Sequence, residues 1–340
     1  MKAVLYDAPR SYAVTDIPTP VAGPGEVRIR VHQVGVCGTD LHIHNGDFQA
    51  VFPLIPGHEL VGEIDALGDG VDRFVVGEQV SVNPNIYCGL CDYCLAGRLI
   101  LCENLKGLGS NFPGFFAEFV TVPASLVFSV EGLPLDTAVF TEPAACAMHG
   151  LETLNLRPGS SALVFGAGPT GLLLAQLIAS GGASSVTVAA PTQFKLDRAT
   201  ALGVTNTVLI DRNDAQGNLT KVLDASNDGG YDYVVEATGS SAIGDICVPL
   251  TRNGGTVMVY GVTRGDEVST FHPFDVFRRE ITIKGSFAEV TSFAAAIAAM
   301  RGGRVRTDGM ITHRYPIDQY GKALDALATD RTAHKIVLVP

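Results

Sequence analysis

The sequence predicts a two-domain protein: an all-β, barrel-like domain, and an α/β domain with a doubly wound parallel sheet. Three observations carry that expectation. A chain of 340 residues with 46% hydrophobic composition lies beyond the length at which one core usually stops growing. Up to about Thr141, short strands such as Val27-Arg28-Ile29-Arg30-Val31 and Glu78-Gln79-Val80-Ser81-Val82 are separated by Gly, Pro and Asp turns, with little helical periodicity. Beyond Pro158-Gly159 apolar strands alternate with helical segments. Strands this hydrophobic, joined by helices, mean a parallel sheet covered on both faces.

Taken in order, Ala162 to Phe165 reads as a strand, Pro169 to Ala179 as a helix, Val186 to Ala189 as a strand, Phe194 to Leu202 as a helix and Thr207 to Ile210 as a strand. Tyr231 to Glu236, Thr256 to Tyr260 and Ile281 to Lys284 continue the strand series. The Ala-rich helix Phe293 to Arg301 and the strand Lys335 to Val339 are expected to return to the first domain. That gives a β domain of residues 1–154 and 288–340 and an α/β domain of residues 155–287.

A net charge of −11 and a pI near 5.1, with no run of Lys or Arg concentrating the 24 positive residues, oppose binding to phosphate backbones or anionic membranes. Neither nucleic acid nor membrane is an expected partner. Apolar stretches are broken by Gly, Pro or a charge well short of the roughly 20 residues that span a bilayer. No hydrophobic leader opens Met1-Lys2-Ala3-Val4, so a soluble, cytoplasmic chain is expected.

Cys88, Cys91, Cys94 and Cys102 form the run C-G-L-C-D-Y-C-L-A-G-R-L-I-L-C. Two-residue gaps let successive sulfurs face one point from a tight loop, as a structural zinc requires, and they are cramped for disulfides. A closed thiolate set suits the pinning of a lobe at about residues 88–102, not chemistry. A second group, Cys37, His58, Glu59 and Glu142, supplies one thiolate, one imidazole and two carboxylates. That mixed set suits a catalytic zinc with an exchangeable position, so two zinc ions per chain are expected. Cys146 and Cys247 read as small buried thiols.

Gly166-Ala-Gly168-Pro169-Thr170-Gly171 follows the strand Leu163-Val164-Phe165 and opens a helix, the context of a dinucleotide fingerprint. Gly166 permits the tight turn, Gly168 lets backbone approach a pyrophosphate, Gly171 allows close helix packing, and the helix N-terminus at Pro169 and Thr170 directs N–H groups at the anion. NAD recognition usually adds an Asp or Glu about 20 residues on. Here Ala189-Ala190-Pro191 stands in that place, followed by Thr192, Lys195 and Arg198. With no carboxylate to repel a 2′-phosphate and with cations nearby, NADP is favoured over NAD.

In this order the motifs resemble the zinc-dependent medium-chain alcohol dehydrogenases over nearly the whole chain. Thr141-Glu142-Pro143 is similar to the branch of sorbitol and related polyol, glucose and threonine dehydrogenases, which has an acidic residue where classical alcohol dehydrogenases have a cysteine ligand. The resemblance implies a GroES-like β-barrel catalytic domain beside a Rossmann domain. It also implies zinc-dependent oxidation of a secondary alcohol, a polyol or sugar alcohol, to a ketone by hydride transfer to NAD(P). Cys37 and His58 would bind zinc directly, and Glu59 or Glu142 would complete the shell, directly or through bound water. Asp40 would orient His58. Thr39 resembles the family's relay hydroxyl, and His42, beside His44 in an expected loop, would pass the proton toward solvent. Zinc lowers the pKa of an alcohol so that its carbon can release hydride to a nicotinamide.

Animal sorbitol dehydrogenases of that family carry an Arg-Tyr pair after the final Rossmann strand, where this chain reads Gly285-Ser286-Phe287-Ala288-Glu289. Sorbitol itself is therefore not the expected substrate, and Phe48, Phe52 and Phe115 are candidate apolar lining. Within the same fold the alternatives are threonine dehydrogenase-like or simple alcohol oxidation. From another class the alternative is a noncatalytic scaffold, which has no need of the open metal site offered by Cys37, His58 and Glu142. A homo-oligomer, dimer or tetramer, is expected.

Overall fold

The Glu26–Val36 strand buries Val27, Ile29 and Val31 at every second position, the period of a strand with one face on a core. Along one edge it pairs antiparallel with Glu59–Leu67, from Val27 to Gly35; on the other edge Phe119–Pro123 pairs antiparallel with residues 26–30 and Lys335–Val339 with residues 34–36. Gln79–Val82 and Val127–Ser129 extend the sheet beyond Glu59–Leu67, and Ile311–Pro316 closes it beyond Lys335–Val339, giving seven strands. Gly35 lies opposite Glu59 in one pairing and opposite Val337 in the other, which sets the positions of Glu59 and Lys335. Ile29, Leu60, Ile64, Val80, Phe116 and Tyr320 belong to the core against this sheet.

This computed structural model describes residues 1–47, 50–226 and 229–340. One unit comprises Met1–Ala145, Glu289–Arg301 and Gly309–Pro340; the other comprises Cys146–Ala288 and Gly302–Asp308. The division thus falls inside the Thr141–Leu154 helix, earlier than the 154/155 expected from the sequence. The later half of that helix is tied to the second unit: Lys284 Nζ donates to the Thr153 carbonyl at 3.0 Å, and a Cβ on Gly150 would stand 3.1 Å from the Tyr260 ring. Gly302–Asp308 returns to the second unit because Gln176 clamps Arg306, accepting its N–H at 2.8 Å and donating to its carbonyl at 3.1 Å.

The second unit is a six-stranded parallel sheet: β1 (Ser161–Phe165), β2 (Ser185–Ala190), β3 (Asn206–Leu209), β4 (Tyr231–Glu236), β5 (Thr251–Val259) and β6 (Thr282–Gly285). Their order in space is 3-2-1-4-5-6, the doubly wound order whose ligands bind at the carboxyl ends of the strands where the winding reverses. Helix α1 (Pro169–Ser180) follows β1 and α2 (Gln193–Ala201) follows β2. Leu163, Phe165, Ala189, Val234 and Val257 form the sheet's contribution to a core. The fold class expected from the sequence is the one observed. No helix among the described residues is long and apolar enough to cross a membrane.

One local expectation is corrected. The segment around His42 and His44, expected as a loop, is the helix Gly38–Asn45. It has no apolar stripe, so periodicity cannot find it. Its start is fixed by Asp40, whose carboxylate accepts the Cys37 N–H at 2.8 Å, and its end by Gly46 in the left-handed conformation.

Candidate active site

Cys37, His58 and Glu59 place one ligand atom each within 4.8 Å of one another. Cys37 caps the Gly38–Asn45 helix, and Glu59 opens the strand registered against Gly35. A Cβ on Gly35 would stand 1.8 Å from Glu59 Oε2, so only glycine leaves room for that carboxylate. Asp40, fully buried, uses one oxygen to cap Cys37 and turns the other toward His58 Nδ1, 3.9 Å away. Burial raises the Asp40 carboxyl to about 6, against the pull of His58. Glu59 Oε1 is buried without a hydrogen-bond partner, a costly state that a divalent cation shared with the Cys37 thiolate and the His58 imidazole relieves. The residues fit a zinc ion.

Glu142 stands in the first turn of the Thr141–Leu154 helix, 8% exposed, and is not one of the three converging residues. Its charge nonetheless acts on His58 and on the buried Glu289. Thr39 Oγ1 lies 3.9 Å from Cys37 Sγ. His42, three residues further along the same helix, is half-buried and meets Asp47 through Nδ1 at 3.0 Å.

The four sulfurs of Cys88, Cys91, Cys94 and Cys102 also lie within 4.8 Å of one another. Backbone N–H groups of Leu90 and Cys91 donate to Cys88 Sγ at 3.4 Å, and those of Cys88 and Asn104 donate to Cys102 Sγ at 3.2 and 3.3 Å. Such bonds favour thiolates, and those from Leu90 and Cys91 pull Cys88 down to about 6, while burial pushes Cys94 up to about 12. Four sulfurs so close are held as thiolates only by a cation among them. This set fits a closed zinc site.

In the second unit Gly166 takes φ +109° at the end of β1, and a Cβ on Gly171 would stand 2.2 Å from the Gly166 carbonyl. The turn and the close helix approach both demand glycine. Gly168 caps α1 without a side-chain bond, Pro169 and Thr170 open the helix, and no heavy atom lies within 4 Å of where a Cβ on Gly168 would stand. The backbone at Gly168 thus leaves open space at the start of α1, where a pyrophosphate could approach. Ala190 ends β2 without a carboxylate, Thr192 caps α2 without a side-chain bond, and Lys195 is half-buried on its first turn. Arg198 lies one turn further along α2 and has a second attachment. Its guanidinium donates to the Asp308 carbonyl at 3.2 Å, which draws it toward the Gly302–Asp308 segment.

Residues 23–132 match the Alcohol dehydrogenase GroES-like domain, and residues 169–302 match the Zinc-binding dehydrogenase domain. The chain belongs to the zinc-binding dehydrogenase family. It is 41% identical to D-arabinitol dehydrogenase 1 of Uromyces fabae, covering 100% of this chain and 97% of that one. It is 34% identical to D-altritol 5-dehydrogenase of Agrobacterium fabrum, covering 94% and 90%. A zinc-binding dehydrogenase from Sinorhizobium meliloti 1021, solved bound to NADP, superposes with TM-score 0.93 at 31% identity over 100% of this chain and 99% of that one.

The zinc-binding dehydrogenase fold brings in a residue that the motifs did not flag. Lys335, 3% exposed, pairs through Nζ with Glu59 Oε2. Its sequence signal is a lysine opening the otherwise apolar strand Lys335-Ile-Val-Leu-Val, at a position the sheet buries. Burial opposes its charge, but Glu59 and Cys37 raise its pKa and keep it an ammonium. Removing one member of a buried pair leaves the other uncompensated, so Lys335→Met is expected to cost about 3–5 kcal/mol of stability. Its thermal midpoint, read by circular dichroism, checks this.

The candidate lining residues do not form the expected set. Phe115 is 1% exposed and Phe52 packs on the same core cluster, so both serve the β core; Phe48 lies outside the described residues. Cys247 is buried as expected, whereas Cys146 is half-buried.

Proposed function

We propose that this dehydrogenase oxidises a secondary hydroxyl of a polyol or sugar alcohol to the ketone, with NADP as hydride acceptor and two zinc ions per chain. The observation that carries the reading is the meeting of Cys37, His58 and Glu59 in a chain 41% identical, end to end, to a D-arabinitol dehydrogenase. When bound, the open-site zinc acidifies the substrate hydroxyl and the nicotinamide accepts the hydride. The chain's own groups do the rest. Asp40 sets a buried carboxylate 3.9 Å from His58 Nδ1, Lys335 holds one Glu59 oxygen, and Glu142 adds negative charge that favours a cation at this point. Thr39, beside the Cys37 sulfur, would relay the hydroxyl proton by accepting it while giving up its own, and His42, held by Asp47, would be the base that receives it.

The test is absorbance of reduced nicotinamide across pentitols, hexitols, threonine and monohydric secondary alcohols, each with NAD and NADP. The highest kcat/KM is expected for a polyol with NADP. Threonine or a monohydric alcohol giving the highest value would refute the substrate class.

Assembly into a homo-oligomer is part of the proposal. Strand β6 is a sheet edge with Ile283 41% exposed, and the adjoining helix Pro273–Arg278 exposes Phe274 and Phe277 at 67% and 80%. A second copy would cover this apolar edge. Light scattering is expected to give a multiple of the 35.7 kDa chain, and Phe277→Asp to shift it toward that mass. Seven cysteines without a disulfide, five of them in the proposed zinc sites, fit a reducing compartment, and we place the protein in the cytoplasm.

A further inference from the structure

Resting on the NADP reading above, we infer that Arg212 acts with Lys195 to hold the cofactor's 2′-phosphate and so sets cofactor choice. The parallel register of β2 and β3 pairs Ala190 with Leu209. The segments leaving these two strands, toward Lys195 and toward Arg212, therefore emerge side by side at the carboxyl edge of the sheet, where doubly wound folds bind their ligands. Ala190, 1% exposed, puts no carboxylate at that edge to accept a ribose hydroxyl or to repel a phosphate.

The segment that carries Arg212 is built, not loose. Asn218, 1% exposed, accepts the Asp211 N–H at 2.8 Å and donates to the Asp211 carbonyl at 2.6 Å. The Asp211 carboxylate accepts the Asn213 N–H at 2.9 Å, so this acid is engaged in its own turn. Arg212 projects from the pinned turn as an exposed residue, and no carboxylate among the described residues pairs with it.

Across the gap Lys195 is half-buried, and burial together with the charge of Arg212 holds its pKa below the ordinary lysine value. Two cations close enough for Arg212 to lower the pKa of Lys195 are an unfavourable arrangement in the free protein. A phosphomonoester of charge near −2 reverses the sign of that interaction, whereas a neutral ribose hydroxyl does not. The division of labour follows from side-chain chemistry: Arg212 offers a planar fork for two phosphate oxygens, and Lys195 a point charge. Thr192, whose hydroxyl makes no capping bond, stands at the same edge as a neutral donor. The sequence signal was present as Asp211-Arg212 just past an apolar strand, but only the strand register brings it beside Lys195.

The test needs no turnover. Calorimetric titration of the full chain with adenosine 2′,5′-bisphosphate and with 5′-AMP isolates the contribution of the 2′-phosphate. The unmodified protein is expected to prefer the bisphosphate, and Arg212→Gln to lower bisphosphate affinity about tenfold or more, the size of a lost charged hydrogen bond, with 5′-AMP affinity within about twofold. Arg212→Lys, which keeps the charge and loses the fork, should fall between them. An Arg212→Gln protein that keeps the full preference would overturn the assignment while leaving the NADP reading intact. An unmodified protein that binds 5′-AMP as tightly as the bisphosphate would overturn both. Equal loss of the two ligands in Arg212→Gln would show a structural effect and also reject the assignment.

Discussion

Cys37→Ala is expected to lower turnover by several orders of magnitude while the dissociation constant of the nicotinamide cofactor stays nearly unchanged. The reason is a separation of tasks. In the proposed mechanism Cys37 ligates the zinc, and it caps the helix that carries Asp40 and Thr39, whereas the proposed pyrophosphate cradle of Gly166, Gly168 and Gly171 belongs to the other unit. Losing the thiolate removes charge stabilisation that develops only in the reaction, so the loss should fall on kcat. A variant that loses cofactor affinity as strongly as turnover would show that the substitution had disturbed the fold as a whole. Near-normal turnover would show that Cys37 is no ligand.

Chelation is expected to separate the two metal sites with a comparably large effect. A brief treatment should remove zinc from the mixed site first and abolish activity while far-ultraviolet circular dichroism persists. Prolonged treatment that empties the four-cysteine site should lower the melting temperature as well. A closed set of four thiolates, fastened by N–H bonds from Leu90, Cys91, Cys88 and Asn104, binds more tightly, and loss of its metal is coupled to unfolding of the lobe. Elemental analysis should read two zinc ions per chain at the start and about one after the brief treatment. Activity and structure lost together from the outset would mean that the sites do not have separate roles.

The sequence exposed the fold because its signals are local. Apolar strands, the glycine turn at 166–171 and the closely spaced cysteines each declare themselves within a few residues. Cys37 and His58 were legible only as separate motifs. The register that sets Glu59 opposite Gly35 is a property of paired strands and leaves no mark on either strand alone. Lys335 reaches Glu59 from nearly the far end of the chain, which no spacing argument spans. Helix Gly38–Asn45 escaped because it is short and capped, with no apolar face, and Phe115 was misread because an aromatic residue in a loop-rich stretch gives no sign of which side it buries. Arg198 shows what spacing leaves out: at the expected sequence distance from β2, it also has one guanidinium nitrogen bonded to the Asp308 carbonyl.

The proposed reaction moves a hydride from a secondary carbinol carbon of a polyol to a nicotinamide. The most direct measurement uses a pentitol deuterated at its secondary carbinol carbons, incubated with the zinc-loaded protein and NADP, with the reduced cofactor recovered for mass spectrometry. NADPH carrying the deuterium, a matching ketose, and no product after brief chelation are expected. Reduced cofactor without deuterium, or no turnover with any polyol in the presence of either nicotinamide cofactor, would contradict the proposed reaction.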